Sequence, residues 1–216
     1  MVCLFGICMG SVAVIYSALR CLQRLDKDAE NERKCSVIMQ CCLCIISCEV
    51  ICSLLRLQPQ QIMSSTQIVM LSILLSALEA CMIAASVMDL ESCMVYNYVW
   101  WAATVVAILL MGIGVREIPW ELILFILLQE MLFCRMYGRA DCHAFSICAM
   151  AETALGMNMQ AYLLHMLLAF VLLAVVQGIN RNIGRNGNLK QPVAFLPYIT
   201  ISFYGIILLG TAFAGG

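Results

Sequence analysis

The sequence predicts an all-α, polytopic membrane protein with about eight transmembrane helices. Three observations carry that expectation. Apolar residues make up 63% of the 216 positions and charged residues 12%, with a mean hydropathy of +0.96. The apolar residues gather into runs of crossing length, roughly 17 to 25 residues each. The twelve Lys and Arg are clustered in a few places along the chain. Such a composition makes the lipid bilayer the expected surroundings. A net charge of -1 without a basic face gives nucleic acid nothing to bind.

In chain order, the expected spans are 2–19, 35–55, 67–88, 95–113, 119–137, 142–157, 160–178 and 193–213. The first run, Val2 to Leu19, has no basic residue before it and several after it. That is the reverse of a cleavable signal, so it is expected to remain as a helix. Between the first two spans, RCLQRLDKDAENERK (Arg20 to Lys34) is charged enough to stay in water and reads as a short amphipathic connection. The second span carries Cys41, Cys44, Cys48 and Cys52 at helical spacing. A single stripe cannot wrap an ion tetrahedrally, so these thiols are expected to pack between helices and no metal site is predicted. Cys142 and His143 are adjacent and point about 100° apart on a helix, which does not suit a nucleophile and its base. The sixth span is the shortest, about 24 Å of helix by its length. A re-entrant half-helix there would move Arg181, Arg185 and Lys190 to the opposite side of the membrane. The expected division is therefore 1–66, two helices joined by the 20–34 connection, and 67–216, a six-helix core.

Basic residues set the orientation. Arg20, Arg24, Lys27, Arg33, Lys34, Arg135, Arg139, Arg181, Arg185 and Lys190 fall in odd-numbered connections, and only Arg56 and Arg116 in even ones. Cytoplasmic loops carry the excess of Lys and Arg, so the odd connections are expected inside and both termini outside.

The chain has four aspartates. Asp26 and Asp28 lie in the charged first connection, where water accounts for them. Asp89, in AASVMDLESCMVYN, closes the third expected span, and Asp141, in MYGRADCHAF, opens the sixth. By parity, both stand at the cytoplasmic ends of helices and at the same depth. A carboxylate at the bilayer edge is costly and is seldom kept without a partner or a task. Two carboxyls that approach each other share a proton, since both cannot ionise freely. One can then take a proton from water while the other protonates or polarises a carbonyl, as in aspartic proteolysis. Gly138 and Ala140 bare the backbone beside Asp141, and a helix N-terminus favours its negative charge. The plainer reading has Asp141 capping a helix and Asp89 as a polar stop at the water interface. Glu49, Glu79, Glu130 and Glu152, within spans, are expected to hydrogen-bond or ion-pair between helices.

These aspartate segments, in order and separation, resemble those of the type IV prepilin peptidases and archaeal preflagellin peptidases, the GxGD membrane aspartic proteases. In that family the first aspartate begins D-x-x-x-x-x-I-P-N; Asp89 is followed at those last positions by Val95, Tyr96 and Asn97. The G-x-G-D motif is matched by Gly138, Arg139, Ala140 and Asp141, and VAFLPYI, with Phe195 and Pro197 in register, is similar to the family's C-terminal I-P-F-G-P-F-L. The resemblance runs from about Ser76 to the C-terminus. Ala140 replaces a glycine, Tyr96 a proline, and His143 a frequent lysine.

The resemblance implies an aspartic endopeptidase in the cytoplasmic membrane of a bacterium or archaeon, with its active site facing the cytoplasm. Such an enzyme cleaves the leader of type IV prepilin-like precursors. Asp89 and Asp141 would be catalytic, with Gly138, Ala140, Arg139 and Pro197 binding substrate or supporting the site, and no cofactor is implied. Arg20 to Lys34 lacks the paired C-x-x-C segment of bifunctional members, so N-methyltransferase activity is not expected. The alternatives are a proton-coupled membrane transporter using the same carboxylates and a non-catalytic, pilin-binding relative.

Overall fold

The computed structural model describes residues 65–115, 117–182 and 193–214, together with Ala13, residues 16–18 and Arg20. The described residues are mostly helical and include no strand. From Ser65 onward, the described residues form six α-helices: α1 (Ser65–Ser92), α2 (Asn97–Gly114), α3 (Trp120–Met131), α4 (Arg139–Ala154), α5 (Met159–Asn182) and α6 (Leu196–Ala214). Three stretches, Val69–Ser92, Asn97–Gly114 and Met159–Ile179, are long and apolar enough to cross a membrane; Leu196–Ile207 is a shorter apolar helix. Most of the first expected span, the whole of the second with Glu49 and the Cys41–Cys52 stripe, and most of the charged connection lie outside the described residues.

Helix boundaries follow local chemistry. α1 ends where Ser92 turns its hydroxyl back to the Met88 carbonyl (2.9 Å) and Cys93 takes a positive φ of 53°. The Cys93 N–H then closes on the Asp89 carbonyl (2.8 Å). α4 ends with Gly156 at φ 81°, whose N–H bonds the Thr153 carbonyl while Met157 N–H reaches that of Glu152. This is the left-handed glycine stop that satisfies the last helical carbonyls. Asn158 starts α5 by accepting the Gln160 N–H at 3.1 Å.

One expected span breaks up. Of 119–137, only Trp120–Met131 is α-helical; Phe133–Arg135 is a 3-10 turn. The hydroxyl of Tyr137 folds back to donate to the Gln129 side chain, and Gly138 adopts φ 120°, which no helix accommodates. The segment therefore tightens before α4 can begin. α5 runs in the other direction, four residues past the expected 178.

The core is built on small residues. Ala77, Ala80, Ala84 and Ala85 of α1, Ala103 and Ala107 of α2, and Ala144, Ala149 and Ala151 of α4 are buried, which lets backbones approach closely. Leu78, Met82, Ile83, Met88, Phe145 and Phe203 fill the space between them. At the ends of α2 and α4, Gly114 lies against the Ala154 carbonyl so tightly that an added Cβ would collide with it. At the opposite end, the Leu196 N–H at the start of α6 bonds Asp89 in the last turn of α1 (3.0 Å). α4 thus runs alongside α2 to the same far end, and α1 and α6 are antiparallel. α1 is the central helix, with 78% of its apolar stretch buried against 17% for α5. α5 turns Leu163, Leu164, Leu167, Val171, Val175 and Ile179 outward as a continuous apolar face.

Candidate functional site

Asp89 lies in the last turn of α1 with 9% of its surface exposed. The first N–H groups of any helix lack intrahelical partners. In α6 this vacancy is met from another helix: Asp89 Oδ2 accepts the Leu196 N–H at 3.0 Å, and the Phe195 backbone also donates to the carboxylate. Asp89 is therefore the N-terminal cap of α6. Two residues on, Glu91 takes a two-pronged bond from the Arg20 guanidinium, at 2.9 and 3.0 Å, which ties Arg20 to this end of α1. One turn deeper, Ser86 and Thr200 share a hydrogen bond of 2.8 Å and hold α6 against α1.

Asp141 occupies the first turn of α4, just before the sixth expected span. Gly138 precedes the helix at φ 120°, ψ 153°, a conformation that L side chains rarely adopt. A Cβ on Gly138 would stand 3.4 Å from Asp141 Oδ2, so space is adequate and backbone conformation is the constraint. Burial first, and the nearby Asp89 carboxylate second, push the Asp141 carboxyl up from 3.8 to about 7. The helix N-terminus favours the anion by a fraction of these effects. The two aspartates, fifty-two positions apart in sequence, are thus electrostatic neighbours at one end of the bundle. Asp141 therefore keeps its proton to a higher pH than an unperturbed aspartate does.

An aromatic cluster joins the supports of both aspartates. Tyr137, next to Gly138, packs edge-on against Phe145 (5.9 Å between ring centroids), Phe170 (5.5 Å) and Phe195 (6.2 Å). Phe195, next to Leu196, lies 6.0 Å from Phe145 and 5.0 Å from Phe170. Tyr137 is itself anchored through its hydroxyl to Gln129, which is fully buried and whose amide reaches Met166 Sδ at 3.4 Å.

The remaining expected site residues stand close in sequence to Asp141 or to the backbone donor of Asp89. Arg139 is exposed on the first turn of α4, Ala140 is half-buried against the core, and Pro197 is half-buried in the first turn of α6, where a missing N–H is tolerated. Asp141 sits inside α4, and the position before the helix belongs to Gly138. Of the glutamates expected within spans, Glu130 pairs with His143 of α4 (2.8 Å) and Glu152 lies against His165 of α5 (2.8 Å) outside hydrogen-bond geometry, both between helices. Glu79 departs from the expectation: it is fully buried and neither carboxyl oxygen has a hydrogen-bond partner. Among the described residues, no group of three or more His, Cys, Asp or Glu is arranged to hold a metal ion.

Three contributors were not anticipated from sequence: the Leu196 backbone, Gln129 with Tyr137, and His165. Gln129 and His165 carry a readable signal, each being a lone polar residue in an apolar run, LFILLQEML and AYLLHMLL. A backbone donor leaves no such trace. No protein-family model, curated protein or solved structure matches this chain.

Proposed function

We propose that this chain is an aspartic endopeptidase of the prepilin-peptidase kind, in which Asp89 and Asp141 share the catalytic proton. The observation that carries the reading is the shared end of the bundle, where Asp141 is raised to about 7 by burial first and by the Asp89 carboxylate second. In this reading the ionised member takes a proton from water as its oxygen attacks the scissile carbonyl, and the protonated member gives its proton to the carbonyl oxygen. Collapse of that adduct breaks the C–N bond and returns a proton to the leaving amine. Asp89, held by backbone donors, is the better stabilised anion and acts as the base, and Asp141 acts as the acid. No metal or cofactor enters this scheme.

The expected surroundings follow the same reading. Eight helices cross the cytoplasmic membrane of a bacterium or archaeon, with the aspartate end toward the cytoplasm. The outward apolar face of α5, unsuited to water at its size, is covered by lipid. A type IV prepilin-like precursor lies with its hydrophobic helix in the bilayer and its basic leader at the aspartates. Without a paired C-x-x-C segment in Arg20 to Lys34, the protein cleaves but does not methylate.

The test is to incubate the purified protein in detergent with a prepilin and look for the shortened product. Asp89→Asn and Asp141→Asn should each abolish cleavage while the protein still inserts. Normal processing by either variant removes the reading. A second reading, a proton-coupled transporter, is favoured by one observation, the unpartnered Glu79 within the bundle. It predicts proton uptake into liposomes that Glu79→Gln abolishes, with no prepilin product. A non-catalytic pilin-binding relative would retain the prepilin uncut.

A further inference from the structure

His165 projects from α5 into the interior with 1% of its surface exposed, and both ring nitrogens are engaged. Nε2 lies 3.0 Å from the Ile199 carbonyl oxygen, and Nδ1 lies 2.8 Å from Glu152 Oε1 of α4. A carbonyl can only accept, so Nε2 carries a hydrogen. Nδ1 and Glu152 Oε1 make a close polar contact between α4 and α5, in which the Glu152 oxygens fall outside hydrogen-bond geometry. Ile199 belongs to the first turn of α6, and its carbonyl also accepts the Ser202 hydroxyl at 2.9 Å. The same turn presents the Leu196 N–H to Asp89.

A second line of contact reaches the same place. The His165 ring lies edge-on to Phe145 at 5.4 Å and beside Phe203 at 5.8 Å. Phe145 in turn touches both Tyr137, which leads into Gly138 and Asp141, and Phe195, which leads into Leu196. His165 is thus bonded to the helical turn that orients one aspartate and packed against the ring that links the supports of both.

We propose that His165, braced by Glu152, is a positioning residue for the candidate site: it fixes the first turn of α6, and through that turn the backbone donors that aim Asp89. Its catalytic consequence rests on the peptidase reading; its structural half does not. Small losses of alignment at reacting groups are expressed in turnover more than in substrate capture.

The experiment follows amide hydrogen exchange over residues 193–200 and prepilin cleavage in the same full-length preparations. His165→Leu removes both polar contacts and should speed exchange in 193–200 at least tenfold, while peptides from 103–111 in α2 stay as protected as before. Its kcat should fall at least tenfold with KM within twofold. Glu152→Gln can still donate to Nδ1 and leave Nε2–H on Ile199, so exchange and kcat should stay within threefold of the parent. Unchanged protection of 193–200 in His165→Leu overturns the proposal. So does loosening of 103–111 by the same factor, since that marks general destabilisation. Should His165→Leu fail to fold, His165→Met, which is close in volume and also lacks a donor for Ile199, is judged by the same two peptides. If the parent protein leaves prepilin uncut, the peptidase reading falls and the exchange result alone decides the positioning role.

Discussion

Asp141→Asn gives the sharpest test of the site's electrostatics. Its carboxyl is held at about 7 in the folded protein against 3.8 for an unperturbed group. Below 3.8 both states bind the proton. Between 3.8 and about 7 the folded protein keeps a proton that the unfolded chain releases, so this residue's effect on stability grows more unfavourable as pH rises and levels off above about 7. At full strength the displacement corresponds to about 4 kcal/mol. Asp141 is only partly buried, and solvent screening reduces this to about 2 kcal/mol. Asparagine has the same shape and no charge to lose. The variant should match the parent near pH 4 and exceed it by about 2 kcal/mol at pH 8, a rise in Tm of roughly 4–8 °C for a chain of this size. Thermal unfolding in detergent, followed by tryptophan fluorescence at both pH values, reads this directly. An equal offset at pH 4 and pH 8, or a loss at pH 8, would refute the argument that burial beside Asp89 holds the proton on. Gained stability with lost cleavage is the expected signature of a group kept for its chemistry.

Two further outcomes concern the frame. Gly114→Ala drives a methyl group into the Ala154 carbonyl and should destabilise by about 1–3 kcal/mol, seen as a lower Tm with cleavage per folded molecule unchanged. Glu79→Leu removes a fully buried carboxyl that no group satisfies. It should leave stability unchanged or raise it by about 1–3 kcal/mol, and a clear drop in Tm would show that this carboxyl has a partner in solution.

Much of the helical frame was legible because hydrophobic runs report helices directly. The expected 67–88, 95–113, 142–157 and 193–213 each overlap a helix closely. The break after Met131 was not legible. LFILLQEMLFCRMY reads as one apolar run, and only the bond from Tyr137 to Gln129 and the φ of Gly138 reveal the turn. At the site, the aspartates announced themselves as charges where charges are expensive. Their support did not, because Phe145, Phe170 and Phe195 look like ordinary core residues until their rings are seen to meet. The glutamates separate the cases further: Glu130 and Glu152 lie against histidines at 2.8 Å, the latter outside hydrogen-bond geometry, while Glu79, in the same kind of sequence context, has no such neighbour. Pairing is settled by which helices become neighbours, and that information is spread over the whole chain.

The bond from Leu196 to Asp89 is made by main chain, so it does not depend on which side chain position 196 carries; of the twenty residues only proline, lacking the hydrogen, would abolish it. The side chain at 196 answers to a different demand, the packing of the core it fills, so the turn's aim on Asp89 and its fit to the interior are set by separate atoms of one residue.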